Sequence, residues 1–150
     1  MAKTPAPTTA TPTELASQLR LGVMRLSRRL RQHAPHDITP SQLSALAVVA
    51  RDGRLTLSQL AEAERVQPPT ITRVVDALVQ RGLVDRLPSE TDRRVAWVAP
   101  TPAGLALVEE IRQRRDAYLA RHLRALPPAD LDVLVRAAEL LERLMKDPEP

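Results

Sequence analysis

The stretch TLSQLAEAERVQPPTITRVVDALVQRGLVDRLPSETDRRVAWVA, Thr56 to Ala99, decides the fold of this chain. Thr56 with Gln59 three residues on has the form of a capping box, in which the two side chains satisfy orphan backbone donors reciprocally. It opens a short predicted helix, about Leu57 to Glu64. A second helix begins at Pro68-Pro69, where a missing N–H costs little. Ile71, Val74, Val75 and Leu78 then recur at the spacing of one buried face. Gly82 suits the residue after that helix because it takes positive φ without a steric penalty. Beyond it lie two short β-rich runs, Leu83–Leu87 and Val95–Ala99, separated by the polar segment Pro88–Arg94. This predicts a two-stranded hairpin with a long tip.

Two helices joined by Arg65-Val66-Gln67 and followed by a hairpin make a helix-turn-helix with a wing, an arrangement whose second helix can enter a major groove about 12 Å wide. If Ile71, Val74, Val75 and Leu78 face the core, Pro69, Thr70, Thr72, Arg73 and Asp76 must face outward. Arg73 can read guanine O6 and N7 or clamp a phosphate, and Thr70 and Thr72 offer hydroxyls and methyls. Gln67 stands at the helix start, where backbone N–H groups and the dipole favour a phosphate. Arg93 and Arg94, at the hairpin tip, suit the negative minor groove. Asp76 would be repelled by phosphate, so we assign it to pairing with a wing arginine such as Arg94 and fixing the hairpin angle. The same residues would also serve as the ordinary solvated face of an amphipathic helix, and the tip as a solvated loop. Residues 57–99 hold six Arg and six acids. Placement of charge, not its bulk excess, must therefore do the work.

Outward from this unit, Thr11-Pro12, Thr39-Pro40 and Thr101-Pro102 each set a capping hydroxyl before a proline, with Glu14 and Gln42 completing boxes at the first two. They predict helices from Pro12 to before Pro35, from Pro40 to about Arg51 and from Pro102 to about Ala125. A last helix runs from Pro128 to about Met145. Leu15 and Leu19 of the first helix, with Val23, Leu26 and Leu30, and Leu131, Leu134, Leu141 and Met145 of the last give apolar faces wider than one neighbour would cover. A lone winged helix would end near residue 100, so residues 11–36 and 101–147 are expected to form a helical dimerisation region around a 37–100 DNA-binding region, in one compact domain. Two copies would set their second helices about one DNA turn apart, roughly 34–36 Å. Residues 1–10 read as a mobile tail.

Composition agrees with a mainly α fold carrying a small β-hairpin wing. The chain has 150 residues, 43% hydrophobic, with no Phe, one Trp and one Tyr, so aliphatic side chains must fill the core. With no Cys there is no thiolate metal site, Cys nucleophile or thiol-based sensing. Net charge is +4, carried by 20 Arg and two Lys. That excess favours a polyanion partner, and the Arg bias is equally consistent with GC-rich coding. No apolar run approaches the roughly 20 residues of a membrane span, and the N-terminus lacks a secretory segment. A soluble, cytoplasmic protein without a cofactor is expected. His33 and His36 are a poor metal pair because Pro35 lies between them, and no catalytic constellation stands out.

The chain resembles the MarR family of bacterial transcriptional regulators over about 135 residues. The likeness is carried by Leu60-Ala61-Glu62, by Pro68 to Leu78, by Arg81-Gly82-Leu83-Val84-Asp85-Arg86, by Asp92-Arg93-Arg94 and by Thr101-Pro102-Ala103-Gly104. The family's recognition-helix Thr and Arg fall on Thr72 and Arg73, and its wing Asp-x-Arg on Asp92 and Arg94, which adds Asp92 to Asp76 as a wing-orienting residue. The resemblance implies an obligate homodimer on double-stranded DNA at a pseudo-palindromic operator, usually a repressor released by a small ligand, often an anionic aromatic. Pro69 replaces a commoner small residue and removes a backbone donor. Gln67 stands where Ser or Asn is commoner, and Pro100 replaces the usual Leu. The alternative is a winged-helix protein-interaction module that does not bind DNA, which salt dependence would distinguish.

Overall fold

Each Thr-x-x-Glu/Gln box starts a helix. The computed structural model describes residues 10–33, 37–89 and 95–146. Helix α1 (Pro12–Arg31) opens with the Thr11 N–H donating to Glu14 Oε2 at 2.8 Å and the Glu14 N–H returning to Thr11 Oγ1 at 3.3 Å. Thr39 and Gln42 do the same for α2 (Pro40–Asp52), and Thr56 and Gln59 for α3 (Leu57–Ala63). The remaining helices are α4 (Pro68–Gln80), α5 (Pro102–Leu123) and α6 (Pro128–Lys146).

The sheet differs from the expected hairpin. A short strand β1 (Leu55–Thr56) joins β2 (Val84–Pro88) and β3 (Ala96–Pro100) in an antiparallel sheet of order β1-β3-β2. Leu55 pairs with Val98 and Thr56 with Trp97. The strand is only Leu55 and Thr56, the latter also the α3 cap, and two residues are too few to show alternation, so nothing in the sequence marks them as a strand. The wing strands also begin one residue later than predicted and end on Pro88 and Pro100.

The core is aliphatic. Leu46 and Val49 of α2, Leu60 of α3, Ile71, Val75 and Leu78 of α4, Val84 of β2 and Val98 of β3 are the large fully buried side chains. Each contributes about 1.5–3 kcal/mol by leaving water. No polar residue is buried among the described residues. Helix α5 buries Gly104 and Ile111 in this core and packs Leu107 and Val108 against it, whereas α1 and α6 bury no residue of their own. No helix among the described residues is long and apolar enough to cross a membrane.

Candidate nucleic-acid interface

The interface is built on the two helices α3 and α4. Leu60 and Ala61 of α3 and Ile71, Val75 and Leu78 of α4 face the core, with Val74 packed against it. Pro69, Thr70 and Arg73 are therefore exposed, and Thr72 and Asp76 are half-buried at the flanks. The Thr72 hydroxyl donates back to the Pro68 carbonyl at 2.9 Å, which fixes its rotamer and leaves its methyl and lone pairs for a partner. Gln80 shares the outward stripe and is exposed. It belongs to this face by spacing alone.

Both helices end in the same way. The N–H of Leu83 reaches Leu78 O at 3.0 Å and that of Gly82 reaches Val79 O at 2.9 Å, with Gly82 at φ 66°. At the end of α3, Val66 N–H reaches Ala61 O and Arg65 N–H reaches Glu62 O, both at 3.0 Å, with Arg65 at φ 52°. This is the Schellman arrangement, whose left-handed position glycine occupies without cost. An arginine there costs about 1–2 kcal/mol.

The start of α4 bears on the expectation placed on Gln67. Gln67 is the N-cap, but its side chain makes no capping hydrogen bond. Pro68 and Pro69 carry no N–H, and the Thr70 N–H donates to Gln67 O at 2.9 Å. The first turn therefore offers a phosphate fewer amides than most helix starts, since two positions are prolines without an N–H and the Thr70 N–H is engaged within the turn.

Asp76 pairs with a wing arginine, and among the described residues that partner lies on strand β2. The Asp76 Oδ1 lies 2.8 Å from Arg86 Nη2 of β2. Arg94, Arg93 and Asp92 lie outside the described residues, as do the tail 1–9, His36 and residues 147–150. The foot of the wing is held by Thr101, whose hydroxyl donates to Gly82 O at 2.7 Å and accepts from Gly104 N–H at 3.0 Å.

The other arginines of this unit are engaged. Arg51 pairs with Asp52 at 2.6 Å, and Arg81 pairs with Asp37 at 2.6 Å, also donating to its carbonyl at 2.7 Å. Arg54 lies over the Trp97 ring, 4.6 Å from its centroid. Among the described residues 37–100, Arg65 and Arg73 alone have no such partner, and both are exposed.

Away from this face, Leu15 and Leu19 of α1 and Leu134 and Met145 of α6 are exposed, Met145 at 79%, while Leu131 and Leu141 are half-buried in the single chain. Sequence spacing also missed a ring stack. His33, from the turn after α1, packs on Tyr118 of α5 with centroids 4.0 Å apart, and Tyr118 packs on His122 at 4.4 Å. Among the described residues no group of three or more potential ligands could hold a metal.

A core-anchored helix pair with one polar outward face, braced to an antiparallel wing, defines a winged helix-turn-helix regulator. The MarR family model matches residues 38–96. An uncharacterised HTH-type transcriptional regulator of Mycobacterium bovis is 42% identical over 134 residues, 89% of this chain and 94% of that protein. The HTH-type transcriptional repressor MdtR of Bacillus subtilis is 29% identical, covering 91% and 89%. Among solved structures, RV1404 from Mycobacterium tuberculosis superposes with a TM-score of 0.81 at 28% identity, covering 95% of this chain and all of that one. BpsR of Bordetella bronchiseptica, whose DNA binding is regulated by 6-hydroxynicotinic acid, gives 0.64 at 27%, covering 89% and 98%. The chain belongs to the MarR family and is a transcriptional regulator, not an enzyme.

Proposed function

We propose that this regulator is a cytoplasmic homodimer that binds a pseudo-palindromic operator and represses transcription from it. The observation that carries the reading is the outward face of α4, where Pro69, Thr70 and Arg73 stand exposed beside a wing tied to the same helix through Asp76 and Arg86. Helix α4 enters the major groove, with Arg73 forked on guanine and the Thr72 methyl and oxygen beside it. Arg93 and Arg94 engage the flanking minor groove.

Two copies pair through α1 and α6, whose exposed Leu15, Leu19, Leu134 and Met145 need a cover that the single chain does not provide. The pairing sets the separation of the two α4 helices. Repression is supported by the likeness to MdtR, and release by a small anionic aromatic ligand by the likeness to BpsR. Such a ligand acts only through its different affinity for the two separations.

The test is Arg73→Ala in a gel-shift titration against a duplex selected from random sequence and a scrambled control. Loss of a bidentate guanine contact weakens specific binding by about 1–3 kcal/mol per site. Unchanged discrimination between the two duplexes removes Arg73 from the reading set.

A further inference from the structure

The arginines of the winged unit divide into two groups. Arg51, Arg54, Arg81 and Arg86 are each spent on a carboxylate or a ring of the same unit. Arg65 and Arg73 are not, among the described residues, and the two bracket the start of α4, one on its outward face and one in the turn that precedes it. We propose that Arg65 is a phosphate contact of the DNA interface. The inference rests on the DNA-binding reading of α4 and adds to it a residue that the sequence motifs did not mark.

Three observations converge on it. The unit holds as many acids as arginines over residues 57–99, so its attraction for a polyanion must come from cations left uncommitted. Arg65 is exposed, and no carboxylate among the described residues lies in ion-pair range of it. The backbone of the adjoining turn offers little to a phosphate, since Pro68 and Pro69 have no N–H and the Thr70 N–H is turned to Gln67 O. A side-chain cation just ahead of that turn supplies the charge which the amides do not. The left-handed backbone at Arg65 is a conformation for which glycine is the cheaper residue, as Gly82 shows at the matching position after α4. What arginine adds over glycine there is only its side chain.

That comparison also gives the test. Arg65→Gly removes the guanidinium and keeps the backbone that the turn needs, so the thermal midpoint should hold or rise. Binding to the selected duplex and to its scrambled control should weaken by the same factor. The slope of log K against log salt should become shallower by about 0.9 per protomer. For a dimer this is about two contacts, so over a fourfold rise in salt the gap between wild type and variant narrows by about tenfold. Arg65→Lys should retain the slope. An unchanged slope in Arg65→Gly overturns the proposal, as does a loss confined to one base position or a drop in the thermal midpoint that marks the side chain as serving the fold. If the wild-type protein binds neither duplex with a salt-dependent affinity, the DNA-binding reading itself fails, a result distinct from a salt-dependent wild type with an indifferent variant.

Discussion

Gly104→Ala is the substitution that best tests how the wing is joined to the rest of the chain. Gly104 lies in the first turn of α5 and is buried against the residue that leads from α4 into β2. A Cβ on it would fall on the Leu83 carbonyl oxygen, 3.0 Å from the Leu83 carbonyl carbon and 3.1 Å from Leu46 Cδ1. The leucine methyl can turn aside. The carbonyl cannot, because it accepts from Thr101 N–H at 3.2 Å, next to the Gly82 carbonyl that holds the Thr101 hydroxyl. Relief therefore requires α5 to lift from the α4–β2 junction until the carbon–oxygen contact reaches about 3.3 Å or more. Overpacking of this kind costs about 1–3 kcal/mol. The Thr101 hydrogen bonds strained by the shift add about 0.5–1.5 kcal/mol each, and alanine's better helix propensity returns about 1 kcal/mol. With the two Thr101 bonds counted, the net loss is about 1–5 kcal/mol, centred on about 3 kcal/mol. With a urea slope of about 1–3 kcal/mol per molar, a loss of about 3 kcal/mol lowers the midpoint by about 1 M or more. The titration is followed by helical circular dichroism at one fixed protein concentration, since a dimer's stability depends on it. A midpoint that moves by less than about 0.3 M would show that α5 is not seated on Leu83 as described.

Three further outcomes follow from other parts of the molecule. Asp76→Asn should change unfolding free energy by no more than about 1 kcal/mol, because the pair with Arg86 is partly exposed, yet it should weaken operator binding in a gel shift by releasing the wing from α4; unaltered affinity would deny the brace a role. Leu134→Glu combined with Leu144→Glu places charge on the exposed face of α6 and, with about half of each leucine left for a partner to cover and each change present twice in a two-fold dimer, should cost about 3–6 kcal/mol of association. Sedimentation should then show monomers at micromolar concentration, and a persistent dimer would move the interface elsewhere. The Glu14 carboxyl is held below its usual range by hydrogen bonds from the Thr11 backbone and then its hydroxyl. Its capping contribution is complete above the usual glutamate range, about 4.3, and is lost as pH falls through the lower folded value, so Glu14→Gln should flatten the acid limb of a Tm–pH profile. An identical limb in the variant would show that the box does not titrate with the fold.

Much of this architecture was legible because its signals are local. A threonine and a Glu or Gln three residues later define a cap whatever the rest of the chain does, and all three such pairs made both reciprocal bonds. The buried face of α4 followed from spacing in the same way. Strand β1 was not legible, because two residues carry no period and pair only when Val98 and Trp97 arrive from the other side of the unit. The partner of Asp76 is a matter of register: spacing points to a wing arginine, such as Arg94, without fixing which, and the strand β2 that follows the Gly82 turn brings Arg86 beside α4. Tyr118 and His122 stand one turn apart on α5, but the contact of His33 on Tyr118 needed the turn after α1 to meet a helix far away in sequence.

The end of α3 shows why the candidate site was only partly legible. The glycine rule located the end of α4 at Gly82, and the same rule applied to α3 finds no glycine, although the backbone there makes the same pair of hydrogen bonds. A rule based on which residue is cheapest is silent where a costlier one is used. Such a position can be recognised only once φ is known, and it then directs attention to the side chain, because the backbone alone would have been better served by glycine. Charge behaves likewise. Counting arginines against acids over residues 57–99 returns a neutral unit, and only the geometry separates Arg81 and Arg86, already neutralised by Asp37 and Asp76, from Arg65 and Arg73, which have no such partner among the described residues. A neutral total can therefore coexist with a strongly salt-dependent grip, provided that the unpaired cations share one edge of the surface.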